Sequence, residues 1–394
     1  MQVRRCGVVW LEPREVARFE LDDLLGGGTG VVNDVHWHAH APHLSQSIEI
    51  DAEAAAIVGG LGATAWVDAQ ALIDAHGTQR IEGLLAAGLI VSDDTRHAAH
   101  RAADETHRAQ QWFGLSSVMH AASRWSGVDA AAEVQEAGLY SPLGLRNAYG
   151  IPPPTFHDRG EPDTRIALER APRTDFDELL DLRSTCRNFD TTRALPRAQF
   201  ANVLERVFGA RGQVEAAEDF EVIKRTSPSG GAMHPTEAYL IVRNVEGIDA
   251  GLYHYRPGDH ALQPLPPVDD LEKLAFFAVG GQQWFADAHV LAVLAPRFQR
   301  NFWKYRNHPK AYRVTILDIG HLSQTLFLSA IDLGLGAYIT AAINEVDIEK
   351  AFGLTHYIEG PLAVCGFGLR GGEMVTSEFD PNRKAWPRKS PPAE

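Results

Sequence analysis

A chain of 394 residues, 45% hydrophobic and 22% charged, has the composition of a soluble globular protein and the length for two domains. A formal net charge of −14 argues against general nucleic-acid binding, and no run of about 18 uncharged apolar residues predicts a membrane span. The three cysteines, Cys6, Cys186 and Cys365, lie far apart with no CxxC pair, which argues against a disulfide framework or a cysteine zinc site and for a reducing cytoplasm.

The opening MQVRRCGVVWLEPRE has too short an apolar run for a secretory signal. Residues 1–95 hold five Lys/Arg against fourteen Asp/Glu, so much of the acidity sits here. Gly7 to Leu11 and Ser47 to Ile50 read as strands. Helices are expected over Ala52 to Leu61, Val67 to His76 and Gln79 to Leu89, with Gly88 as a stop signal before a short Ile90–Val91 strand. Short strands around three helices suggest a small winged-helix-like domain. Within it His36, His38, His40 and His43 could place imidazoles on one strand face for a metal. With no cysteine or carboxylate to complete a set, the segment is read as a polar loop and no metal is expected.

Residues 96–172 read as a connecting arm, with a helix over Trp112 to Trp125 and an extended stretch at Ile151-Pro152-Pro153-Pro154, where each proline pushes its predecessor out of the helical region. From about residue 173 an α/β pattern begins. Phe176 to Thr185 and Arg197 to Phe208 have helical periodicity. Ala238 to Val242, His289 to Leu294 and Pro361 to Phe367 are short apolar runs of buried-strand type, and Ile316 to Leu333 reads as a central helix. The domain is expected to run to residue 380, and 381–394, rich in Pro, Lys and Arg, reads as a surface tail.

Several stretches carry chemistry. Arg183-Ser184-Thr185-Cys186-Arg187 puts two guanidiniums four residues apart, on one helical face, with a serine hydroxyl between them. That donor set suits a phosphate, and a solvated helix end is the alternative. Ser227-Pro228-Ser229-Gly230-Gly231 to Pro235 makes a rigid loop whose glycines admit a flat ring or a phosphate. Arg297, Arg300, Lys304, Arg306, Lys310 and Arg313 fall between Asp287 and Asp318 with no acid among them, a local reversal of charge that suits an anionic target. In that run Lys304-Tyr305 is a candidate acid–base pair, against plain surface basicity. Gly334-Leu335-Gly336 at a helix end and Gly366-Phe367-Gly368 before Arg370 permit a planar ligand against backbone, and neither fits GxGxxG in a Rossmann setting.

In this order the blocks RSTCR, SPSGGAMHPTEAYLIV, GLYHY (Gly251 to Tyr255), KY, AYRVTILDIGHLSQTLFLSAIDLGLG and the late GFG resemble the nitroreductase-like flavin fold over about residues 110 to 375. More narrowly they resemble the SagB-type dehydrogenases, azoline oxidases of peptide-natural-product clusters. The resemblance implies an α+β chain: a dimeric, FMN-binding α/β/α domain behind a winged-helix-like domain similar to PqqD-like leader-peptide recognition modules. It implies that Arg183, Ser184 and Arg187, with Arg370 in addition, hold the FMN phosphate. Ser227, Ser229 and Gly230 would lie against the isoalloxazine or ribityl chain, and Gly334 and Gly336 would approach the ring. Lys304 and Tyr305 match the Lys-Tyr pair of azoline oxidation.

The expected activity is oxidation of a ribosomally made precursor peptide, with hydride passing to flavin N5 and oxygen reoxidising the flavin. The leader would bind residues 1–95, and a cyclodehydratase or other maturation enzyme is an expected partner. Asp318 stands where the family often has Glu, Thr325 near an Asn, and His234 where Tyr is frequent, which leaves the substrate open. A NAD(P)H-dependent nitroreductase or flavin reductase, and a flavin-free peptide scaffold, are the competing readings.

Overall fold

The computed structural model describes residues 1–386, so residues 387–394 of the expected tail lie outside the described residues. Those residues fall into two compact units.

The first unit comprises Met1–Arg124, Arg297–Ile316 and Thr355–Gly360. Strand Gln2–Arg5 runs between Val67–Asp68 and Ile90–Ser92, antiparallel to both. Helices Ala52–Gly60, Ala69–His76 and Thr78–Ala86 bury Ile57, Val58, Ile81, Leu84 and Leu85 in one core with Val3 and Ile90. Asp51 and Asp68 cap the first two helices by accepting from the Ala54 and Gln70 amides, at 2.8 and 3.2 Å. The three helices lie where the periodicity puts them, except that Val67–Asp68 pairs as a strand before the second begins.

The histidine segment corrects the loop reading. Val31–His40 is a strand, paired residue for residue with Trp10–Phe19 and flanked by Ile48–Ile50. Two of its histidines also meet carboxylates: His36 Nδ1 lies 2.7 Å from Glu49, and His40 Nε2 lies 2.9 Å from Glu12, while His43 turns to the Gly88 carbonyl at 3.0 Å. His36, His40 and His43 have separate partners, and no cluster able to hold a metal occurs among the described residues.

The second unit comprises Trp125–Pro296, Leu317–Leu354 and the chain from Pro361 onward. Its six-stranded antiparallel sheet has the order Ala261–Pro264, Gly251–Arg256, Thr236–Val242, Val290–Pro296, Ala363–Leu369, Leu335–Thr340. Alternation along the strands divides the core in two. Leu240, Ala292 and Cys365 pack with Phe200, Leu204, Leu326 and Phe327 on one face, and Ile241, Leu291 and Val364 pack with Phe285, Tyr338 and Ile348 on the other. The apolar runs were legible as strands because both their faces are covered.

Helix Ala311–Asp332 has 22 residues and a mean hydropathy of 1.3 in its most apolar 18-residue window. Among the described residues it is the one helix apolar enough by length and composition to cross a membrane, and half of that window is buried in the fold, as in a core helix.

Candidate functional site

Helix Asp175–Asp181 starts at a capping box between Thr174 and Asp177 and ends four residues sooner than its periodicity suggests. Arg183 to Arg187 is therefore not helical. It runs extended along the edge of the sheet, where Thr185 bridges Ala337 and the Cys186 amide donates to the Ala337 carbonyl at 2.9 Å. The shared helical face expected for the two arginines is replaced by a period of two. Ser184, Cys186 and Asn188 are buried, and Arg183, Thr185 and Arg187 alternate with them on the half-exposed side. The two arginines keep the same parity in this alternation, and the residue of that parity between them in sequence is Thr185, whose hydroxyl the sequence reading left without a role. The alternation of small buried and larger polar residues after an acidic helix end was the signal available for it.

Ser184 faces inward at 2% exposure, and its hydroxyl accepts from Arg370 Nη2 at 3.2 Å. Arg370 is ion-paired to Glu378 and lies 5.3 Å from the Trp386 ring centre. The Glu378 carboxylate also accepts from the Arg187 and Asn188 amides at 2.6 and 3.1 Å, from Asn188 Nδ2 at 2.8 Å and from Trp386 Nε1 at 2.7 Å. Burial pushes this carboxyl up, but the Arg370 guanidinium and the neutral donors outweigh it and hold the group below its usual range. The structure thus joins Ser184 and Arg370 in a buried clamp behind the strand. The Arg183 guanidinium lies 5.5 Å from the Phe327 ring centre and that of Arg187 lies 5.8 Å from the Phe285 ring centre, rings that belong to the two different cores of the sheet. Neither arginine makes an ion pair among the described residues.

The Ser227–Pro235 loop is tied to helix Ala311–Asp332. Ser229 Oγ donates to Asp318 Oδ2 at 2.5 Å, the Gly230 amide donates to Asp318 Oδ1 at 3.1 Å, and the His234 amide donates to Ser229 Oγ at 2.9 Å. Ser227 Oγ lies 2.6 Å from Thr325 Oγ1 and donates to the His321 carbonyl at 3.3 Å. Burial raises the Asp318 carboxyl, and the Ser229 and Gly230 donors oppose that rise. Gly231, Ala232 and His234 have φ of 63°, 58° and 43°, so two residues with side chains are held in the left-handed region. Asp318, an acid in the middle of an apolar helix, is thus the residue that shapes the loop, a part the sequence reading did not give it.

Gly334 ends the long helix with φ of 73° and has open space where a Cβ would stand. Gly336 is different: a Cβ there would lie 2.5 Å from Cys186 Sγ, so the strand and the Arg183–Arg187 segment meet only because the side chain is absent. Gly336→Ala is expected to cost about 1–3 kcal/mol by overpacking, read as a lowered midpoint in urea unfolding. An unchanged midpoint would refute this account of the contact.

Lys304 and Tyr305 belong to the first unit, at the end of helix Phe298–Lys304, with Lys304 Nζ 5.6 Å from the Tyr305 ring centre. One turn earlier, buried Asn301 donates to the Ala311 carbonyl at 3.0 Å and to Thr315 Oγ1 at 2.9 Å, which fixes the bend between the two helices.

Two guanidiniums without carboxylate partners, a hydroxyl between them and an open glycine corner form a donor set that fits a phosphate-bearing planar cofactor such as FMN. Residues 180–369 match the Nitroreductase family. The putative nitroreductase MJ1384 of Methanocaldococcus jannaschii is 29% identical over 146 residues, covering 37% of this chain and 71% of that protein. The trifolitoxin-processing protein TfxB of Rhizobium leguminosarum bv. trifolii is 31% identical over 151 residues, 36% of this chain and 39% of that one. The microcin B17-processing protein McbC of Escherichia coli is 29% identical over 150 residues, 37% of this chain and 54% of that one. The match therefore spans about half or less of the two processing proteins. Residues 180–369, a little under half of the chain, are thus similar to the nitroreductase family.

Proposed function

We propose that this chain is an FMN-dependent oxidoreductase that oxidises a ribosomally made precursor peptide at an azoline or a related C–H/C–N position. The observation that carries the proposal is the outward trio Arg183, Thr185 and Arg187, two cations and a hydroxyl with no carboxylate among their ion-pair partners, within the family match. Two relatives named for processing a trifolitoxin and a microcin support a peptide substrate.

FMN, when bound, supplies the hydride acceptor, with oxygen as the final oxidant. The chain supplies the rest. Arg183, Thr185 and Arg187 grip the phosphate, and Ser184 and Arg370 brace them from behind. Ser227, Ser229 and Gly230, held by Asp318 and Thr325, present the loop, and Gly334 leaves the backbone bare where the ring system approaches; Gly336, expected to do the same, instead makes room for Cys186. Lys304 or Tyr305 takes the proton released from the substrate carbon.

We assign residues 1–95 to leader recognition, 96–172 to a connecting arm, 173–380 to the flavin domain and 381–394 to a tail. The ten-residue strand Trp10–Phe19 is the edge of its sheet and is exposed over most of its length, which suits a leader peptide added as a further strand. A homodimer is supported by the exposed stripe of Leu317, Gly320, His321 and Gln324, with open space at Gly320 for close approach of another helix. The three cysteines are free and buried, in keeping with the cytoplasm. A cyclodehydratase or similar enzyme would act alongside.

MJ1384, which shares most of its length with the match, favours a second reading, a NAD(P)H-dependent nitroreductase. The two separate under anaerobic conditions: precursor peptide should bleach the flavin band in the first case, NADPH alone in the second. A protein that stays colourless when supplied with riboflavin phosphate would leave only a peptide scaffold. Arg183→Ala is expected to weaken FMN binding by at least about tenfold, since a charged hydrogen bond contributes about 1.5–3 kcal/mol. Fluorescence titration of the flavin checks this, and an unchanged affinity would remove Arg183 from the cradle.

A further inference from the structure

Between helix Arg197–Phe208 and the outermost strands of the six-stranded sheet, Gly251–Arg256 and Ala261–Pro264, the second unit holds a cavity of about 340 Å³, within the range of small-molecule sites. Nothing in the proposed chemistry uses it, and none of its walls is assigned to the flavin or to the peptide. Phe200, Ala201, Leu204, Ile248 and Leu262 line it with apolar surface. Arg197, Tyr255 and His260 bring polar groups to the same walls.

Arg197 stands in the first turn of its helix, exposed, and makes no ion pair or side-chain hydrogen bond among the described residues. Arg256 and Arg211, by contrast, are paired with Asp259 and Glu205 at 2.8 and 4.0 Å, so the charge of Arg197 is left uncompensated. Tyr255 is 1% exposed, and its hydroxyl lies 2.8 Å from His260 Nδ1. Burial pushes this phenol up to about 12, so it stays a neutral hydroxyl. His260 is held at φ of 48°, in the left-handed region that favours glycine, and its ring reaches the hydroxyl from the turn between the two strands.

Apolar walls with one uncompensated guanidinium select an amphipathic anion. The single cation decides which anion. A carboxylate brings one charge, which the planar fork of an arginine matches with two parallel hydrogen bonds. A phosphate monoester carries nearly two charges at neutral pH, and the second would meet apolar walls with no partner. We infer that this cavity is a binding site for a small monocarboxylic acid with a flat apolar body, its carboxylate on Arg197 and its body among Phe200, Leu204, Ile248 and Leu262. The site shares no residue with the cofactor cradle, so the inference stands or falls apart from the flavin reading.

The test is calorimetric titration of the full chain, in the presence of FMN, with phenylacetate, phenylacetamide and acetate. Phenylacetate is expected to bind at least about tenfold more tightly than the amide, which keeps the body and lacks the charge, and than acetate, which keeps the charge and lacks the body. Arg197→Gln is expected to weaken phenylacetate at least about tenfold, while the amide and the fluorescence titration of FMN stay as they were. Ala201→Phe, which fills the cavity from the helix, is expected to weaken acid and amide alike. Arg197 is exposed, so Arg197→Gln decides the matter if Ala201→Phe fails to fold. No heat from phenylacetate at millimolar concentration, acid and amide binding equally, or an Arg197→Gln chain with unaltered affinity for the acid overturns the inference. So does an Arg197→Gln chain that loses FMN together with the acid. A chain that takes phenylacetate on Arg197 but never binds FMN would sink the flavin reading and leave this site standing.

Discussion

Replacing Lys304 with alanine is expected to leave FMN bound and to lower peptide oxidation by about 10²–10⁴-fold, the usual contribution of a positioned acid–base group. The side chain is exposed at the end of its helix, and the bend that follows is held by Asn301, Ala311 and Thr315, none of which the substitution touches. Loss of activity in a yellow, folded variant would therefore report on chemistry. Tyr305→Phe, which keeps the ring and removes the hydroxyl, shows which member of the pair moves the proton. Single-turnover bleaching of the flavin by peptide, read beside the absorbance of the bound cofactor, is the measurement. A variant with full turnover, or one that emerges colourless, would release Lys304 from the role.

Acid is expected to unfold the first unit. Burial pushes His107 and His120 down to about 4 and His356 down to about 3, with Arg124 adding to the fall at His356. His120 lies 3.0 Å from the Tyr312 hydroxyl and from the His356 carbonyl and stacks on Trp112, and His356 reaches the Pro42 carbonyl at 2.7 Å. These partners suit neutral rings. An unfolded chain takes up the three protons from about pH 6.5 downward while the folded unit refuses them. Stability is therefore complete above pH 6.5 and falls as the pH drops toward 4. At pH 4 each ring disfavours the folded state by about 3 kcal/mol, and three together rival the whole stability of a typical domain. Circular dichroism with tryptophan emission should show cooperative loss between about pH 6 and pH 4. Native signals retained at pH 4 would contradict the burial of these rings.

What the sequence revealed followed burial. Val290–Pro296 and Thr236–Val242 could be read because they are apolar on both faces, Ala52–Gly60 because it is apolar nearly all round, and Ala69–His76 and Thr78–Ala86 because each has one apolar stripe. Val31–His40 was missed because its alternation of Val35, Trp37 and Ala39 with three histidines is only half covered and was read for its imidazoles, although that period of two is the pattern of the strand that pairs with Trp10–Phe19. At the site, residue types were legible and directions were not. RSTCR offered two guanidiniums and two hydroxyls, but whether Ser184 or Thr185 faced outward depended on where helix Asp175–Asp181 stopped. The link of Asp318 to Ser229 and Gly230 crosses 88 positions or more and has no local signature.

The alternation from Arg183 to Asn188 also limits how this stretch can change in length. Adding one residue between Thr185 and Arg187 would reverse the parity of everything after it, pointing a guanidinium into the packed layer now filled by Cys186 and turning a thiol toward solvent. Adding two would restore the original sense. Insertions and deletions here should be tolerated only in even numbers, a spacing rule that a series of length variants would expose without any substrate at hand.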